Sequence, residues 1–79
     1  MKWTVAVLAL SLAGCALGDG QTYTLYRTGL DGSRVHVATF DANESDAYNN
    51  ENCLTAMELF QSQPGVSVRY WCERGRYKR

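Results

Sequence analysis

Apolar residues crowd the first fourteen positions of this 79-residue chain, and that crowding limits what the rest can become. Met1 to Gly14 carry ten apolar side chains and one charge, Lys2, which leaves 26 apolar residues for the other 65. A chain of that size buries only about 60% of the surface its unfolded form exposes, so its fold is marginal without a covalent or other staple. One small domain fits; a Rossmann domain or a barrel does not. The balance of 8 basic against 8 acidic residues gives no global reason to expect nucleic acid. The uncharged run from Trp3 to Ala13 follows a single cation and ends in small residues, the layout of a secretory signal. Such a run is too short to span a bilayer core of ~30 Å as a helix.

The run ends Leu12-Ala13-Gly14-Cys15. Here the sequence resembles a bacterial lipoprotein precursor, whose lipobox is Leu, two small residues and Cys. The resemblance implies a diacylglyceryl group on Cys15, cleavage of Gly14-Cys15, and usually acylation of the freed amino group. Two or three acyl chains hold a small domain to a membrane where one would not, since each buried CH₂ contributes roughly 0.8 kcal/mol. In that family an Asp after the Cys often signals retention in the inner membrane. Ala16 stands there instead, which favours the outer membrane. The alternatives are an ordinary signal peptide cut after Ala16 or Gly18, and a retained anchor. The expected organisation is a signal peptide over 1–14, a lipidated N-terminus and flexible tether over 15–21, and a domain over 22–79.

Three cysteines are an odd number for an exported chain. With Cys15 assigned to lipid, Cys53 and Cys72 remain as a pair in an oxidising compartment. Their bridge would close a loop of about 20 residues, worth roughly 3 kcal/mol by chain entropy. A metal site is the poorer reading, because there is no CxxC and His36 is the sole histidine.

Thr22 to Thr28 is rich in β-branched and aromatic residues and predicts a strand. Gly29-Leu-Asp-Gly-Ser33 predicts a hairpin turn, with Arg34 to Phe40 as the returning strand. Asp41-Ala-Asn-Glu44 opens a helix in the manner of a capping box, with Ser45 or Asn43 as alternative caps. That helix is expected over Asp46 to Ser62. Cys53, Ala56, Met57 and Phe60 share one face, Asn49 continues it, and Pro64-Gly65 ends the helix. Asn49 to Asn52 otherwise reads as a polar, solvated run.

Val66 to Cys72 predicts a third strand with Val66, Val68, Tyr70 and Cys72 on one face. Cys53 and Cys72 thus each fall on an apolar face, and a bridge would staple helix to sheet. The fold class is α+β: a small ββαβ domain, a three-stranded mainly antiparallel sheet, one helix on one face, one disulfide. Strand order 2-1-3 is preferred, with 1-2-3 open. The inward face of the second strand is ambiguous, because Val35 and Val37 compete with His36, Ala38 and Phe40.

One helix covers one sheet face. Aromatic residues, with Trp71 the first candidate, are therefore expected on the other beside Arg27 and Arg69. Exposed Trp, Tyr and Arg are the residue types that dominate binding hot spots. The tail from Arg69 onward holds Arg69, Arg74, Arg76, Lys78 and Arg79 against Glu73. It reads as a frayed, solvated end or as cations facing anionic lipid head groups. The candidate binding surface is Arg27, Arg69, Trp71, Arg74 and Arg76. The expected role is a non-enzymatic accessory or binding module, anchored to a membrane through Cys15 and facing the periplasm. An envelope protein or anionic lipid is its candidate partner; no cofactor, metal or nucleic acid is expected. Its rivals are an exclusion or inhibitor lipoprotein of a mobile element, and a minimal enzyme using His36.

Overall fold

The computed structural model describes residues 18–79, so the signal segment and the lipobox with Cys15 lie outside the described residues. Three strands and a helix follow the expected order: β1 (Tyr23–Thr28), β2 (Arg34–Phe40), α1 (Asp46–Gln61) and β3 (Tyr70–Arg74). The sheet order is β2-β1-β3, and β1 runs antiparallel to both neighbours. The hairpin closes as its sequence suggests. Gly29 N–H donates to Ser33 O (2.8 Å), Ser33 N–H to Asp31 Oδ1 (3.0 Å), and Gly32 takes a positive φ of 85°.

The ambiguity over β2 resolves into a β-bulge. Leu25 faces Ala38 but Tyr26 faces His36, so Val37 is the extra residue. A bulge advances the alternation by one. Ala38 and Phe40 therefore point to the helix on one side of it, while Val35 is in register with Arg27 on the other, and Val37 itself packs on the core. His36 is thereby placed on the opposite face. Both readings of the strand hold, each for half of it.

The core under α1 is small. Leu25 and Cys53 are fully buried, Tyr23 nearly so, and Val37, Ala38, Phe40, Ala56, Met57, Tyr70 and Cys72 close around them. Cys53 and Cys72 form the bridge, with Cα atoms 6.2 Å apart, within the usual span for a disulfide. Phe60 sits at the margin, stacked on Tyr70 at 5.4 Å.

Four details differ from expectation. Ser45 caps the helix, accepting from Tyr48 N–H at 3.0 Å, and Asp41 is not the cap but an ion-pair partner of Arg76. The third strand starts at Tyr70, not Val66, because β1 ends at Thr28 and offers no ladder partner beyond Arg69 O, which accepts from Thr28 N–H (3.0 Å). Gln61 replaces the missing ladder: its Nε2 donates to Val68 O and its Oε1 accepts from Tyr70 N–H, both at 2.8 Å. The expected tether over 15–21 also stops early, since Gly18–Gln21 is a 3-10 turn fastened to the domain.

The fourth difference is Asn49, which is 1% exposed rather than solvated. Its Oδ1 accepts from Ala42 N–H (3.0 Å), and its Nδ2 donates to Gln21 O (2.7 Å) and Ala42 O (3.1 Å). One side chain thus satisfies the backbone at the end of β2 and at the approach to β1. Leaving such groups buried and unpaired costs about 1–3 kcal/mol each, so Asn49→Ala should destabilise the domain by roughly 3 kcal/mol in urea unfolding. Cys53→Ser or Cys72→Ser should lower the melting temperature as far as reductant lowers that of the parent chain. If neither change matters, the helix is not stapled to the sheet in solution.

Candidate functional site

Strand alternation separates the candidate binding residues. Arg27 pairs in register with Tyr70, and Arg74 reaches Asp46 of α1, so both lie on the helix side of the sheet. Trp71 pairs with Tyr26 on the opposite face, with the Arg69 guanidinium 5.9 Å from its ring centroid. The expected neighbourhood of Trp71 with Arg27 is therefore corrected: odd positions of β1 face the helix, and Arg27 is one of them. Arg76 lies beyond β3, paired with Asp41 at 3.1 Å. The five residues do not form one patch.

The face away from α1 is not bare. Thr24 and Tyr26 lie on it and are 0% and 3% exposed. The C-terminal residues cover them. Gly75 has a φ of 116°, a left-handed value that a side chain would strain, and there the chain turns back over the sheet. Its N–H donates to Thr22 O (2.7 Å), and its carbonyl accepts from the Thr24 hydroxyl (2.7 Å). Tyr77 then stacks on His36, ring centroids 4.5 Å apart and nearly parallel, and meets Tyr26 at 6.3 Å. The tail expected as a frayed end is folded onto the domain through residue 77.

Around that strap the polar side chains are tied to one another. The Arg34 guanidinium lies 4.4 Å over the Tyr26 ring and donates to Glu73 Oε1 at 2.6 Å. Trp71 Nε1 donates to the other carboxylate oxygen of Glu73 at 2.7 Å. His36 Nε2 is 2.8 Å from Thr39 Oγ1, so the sole histidine is engaged with a strand neighbour and a stacked ring. Among the described residues no group of three His, Cys, Asp or Glu could hold a metal ion. No helix of the described residues is long and apolar enough to cross a membrane.

Between Arg34, Glu73 and the strap lies an open groove of 310 Å³, lined also by Tyr26, Arg74, Gly75, Arg76 and Lys78. Four of those seven residues are cationic and one is acidic. The sequence places Arg74 and Arg76 in a candidate surface and Lys78 in the basic tail, but does not single out Arg34. The missing signal is Gly75 between two arginines, a turn residue inside what looks like a plain basic tail.

A second polar cluster fastens the helix side. The Tyr23 hydroxyl donates to both Asp46 oxygens (3.2 and 3.3 Å), and Arg74 donates to Asp46 and to Gly20 O. Desolvation, then the bond to Asp46, push the Tyr23 phenol above its ordinary value of 10.0, with the Arg74 charge opposing. A raised acid holds its proton longer in the folded state than in the unfolded one. Its contribution is thus constant below pH 10 and is lost as pH rises through the folded value. Melting temperature followed from pH 8 to 11 should fall more steeply for the parent chain than for Tyr23→Phe. Equal slopes would show that the phenol is not perturbed.

No protein-family model, curated protein or solved structure matches this chain.

Proposed function

We propose that this chain is a small bacterial envelope lipoprotein, cut before Cys15, acylated there, and displaying its ββαβ domain as a non-enzymatic binding module on the periplasmic side of a membrane. The observation that carries the proposal is the lipobox Leu12-Ala13-Gly14-Cys15 at the end of an apolar run. The bridge supports it from an independent direction. It joins Cys53 to Cys72, the other two of the sequence's three cysteines, so the lipobox cysteine is not needed for the domain's disulfide. β1 begins eight residues after Cys15, so an anchor there would keep the domain close to the bilayer. Ala16 in place of Asp favours the outer membrane.

A binding role rather than a catalytic one fits the chemistry on display. The groove beside the strap is lined by cationic side chains and not by an assembled nucleophile and base, and His36 is stacked on the strap. Intact mass of the protein extracted from membranes tests the anchor. The expected product begins at Cys15, is heavier by two or three acyl chains, and is lighter by the two hydrogens of the bridge. Cys15→Ser should abolish the acyl mass and release the chain from the membrane fraction. A soluble product of unmodified mass from the parent gene would overturn the proposal.

A further inference from the structure

We infer that the Gln61 side chain is a guard on the outer edge of β3, and that without it this strand pairs with β3 of a second copy of the chain. The peptide groups of β3 divide by parity. Arg69 O accepts from Thr28 N–H and Gly75 N–H donates to Thr22 O, so the odd positions turn toward β1. Tyr70, Cys72 and Arg74 therefore turn theirs outward, along the edge of the sheet. A row of outward donors and acceptors is a template for another strand unless something blocks it. Gln61 sits at the head of that row. Its Nε2 donates to Val68 O and its Oε1 accepts from Tyr70 N–H, both at 2.8 Å. One residue of a parallel neighbour opposite Arg69 would make the same two bonds. A single side-chain amide thus stands where an added strand would begin.

The two edges of the sheet are closed in different ways. β2 is broken by the bulge at Val37, which interrupts regular pairing along it. β3 keeps an unbroken register with β1 from Arg27↔Tyr70 to Tyr23↔Arg74, so its outer side is regular too. Its sequence is also self-complementary. In the antiparallel register that sets Tyr70 against Cys72 of a second copy, Arg69 falls opposite Glu73 twice and Trp71 opposite Trp71. Opposite charges and paired aromatic rings are both favourable across strands. Leu54 is exposed two helical turns before Gln61 on the same side of α1, which adds apolar surface beside this edge. That register needs Tyr70 N–H from each copy, and Gln61 already holds it.

The amide is delivered to the edge by contacts that do not involve it. Gln61 is the last residue of α1. Phe60 beside it stacks on Tyr70, and the bridge from Cys53 to Cys72 fixes the helix over β3. The guard therefore needs no ordering of its own backbone.

The chain from residue 15 with Cys15→Ser keeps every described residue and carries the test. Gln61→Met keeps the side chain's length and helix preference while removing both bonds. With the bridge verified by mass, sedimentation equilibrium should show the parent as a monomer at millimolar concentration. The variant should approach the mass of a dimer over the same range. In dilute Gln61→Met the Tyr70 amide should exchange roughly fivefold faster than in the parent, the effect of losing one hydrogen bond. At millimolar concentration it should slow again, together with the Cys72 amide. Gln61→Glu, which keeps an acceptor for Tyr70 N–H, should remain a monomer. So should Thr55→Met, which adds the same apolar side chain at an exposed position on another side of α1.

A monomeric Gln61→Met, or equal association of Thr55→Met, overturns the inference. So does association of Gln61→Glu, or a parent that dimerises by itself. If Gln61→Met does not fold, the parent decides. A Tyr70 amide exchanging at the rate of an unstructured peptide overturns the guard, and slow exchange in a monomer upholds it. None of these readings depends on whether Cys15 carries lipid.

Discussion

β1 is buried on both faces, and the rest of the domain follows from that constraint. Five consecutive residues, Thr22 to Tyr26, lie out of solvent, so alternation along the strand sends side chains into two separate interiors. Tyr23 and Leu25 meet α1. Thr24 and Tyr26 meet the C-terminal strap. A chain of this size has one helix to spend on one face, so the other must be covered by whatever follows β3. Gly75 to Tyr77 do it together with Arg34, and their hold is polar and aromatic where the helix's is apolar. The two hydroxyl-bearing residues at the start of the strand are suited to that second interior, because a threonine can be buried only when its hydroxyl has a partner.

Each cover is pinned at the point where a small core cannot hold it. The helix touches the sheet through few large side chains, since Cys53, Ala56 and Met57 supply little area beside a leucine or phenylalanine face. The bridge to Cys72 and the hydrogen bonds of Asn49 make up for that: one ties the middle of α1 to an edge strand, the other ties its first turns to the chain on either side. At the helix N-terminus, Asp46 gathers Tyr23 and Arg74, which places a carboxylate where the helix dipole favours it. These ion pairs are half exposed, so they fix geometry more than they add stability.

The element order, the disulfide and the preferred strand order were legible because each rests on period or parity. Cys53 falls in the helical period with Ala56 and Met57, Cys72 in the strand period with Tyr70, and two independent periods agreeing is strong evidence of contact. β2 resisted because a bulge at Val37 makes two phases true at once, and no single alternation describes such a strand. Asn49 shares the helical period of Cys53, which marks it as inward. Its company, Asn50 to Asn52, hides that, because composition is read over a window while burial is decided residue by residue. The strap escaped for a similar reason. Charge dominates the tail, and the residues that fold it, Gly75 and Tyr77, are single letters whose partners lie some fifty and forty residues away.

The same strap explains why the groove borders a covered face rather than an exposed one. Had the tail been free, Tyr26 would present an open aromatic surface on the central strand, the kind of apolar face on which another molecule can pack. Folding the tail back removes that surface and sets Arg76 and Lys78 opposite Arg34, so protection of the strand and convergence of the cations come from one turn at Gly75. Self-association is disfavoured by covering the aromatics, while Arg76 and Lys78 on the same segment stay exposed.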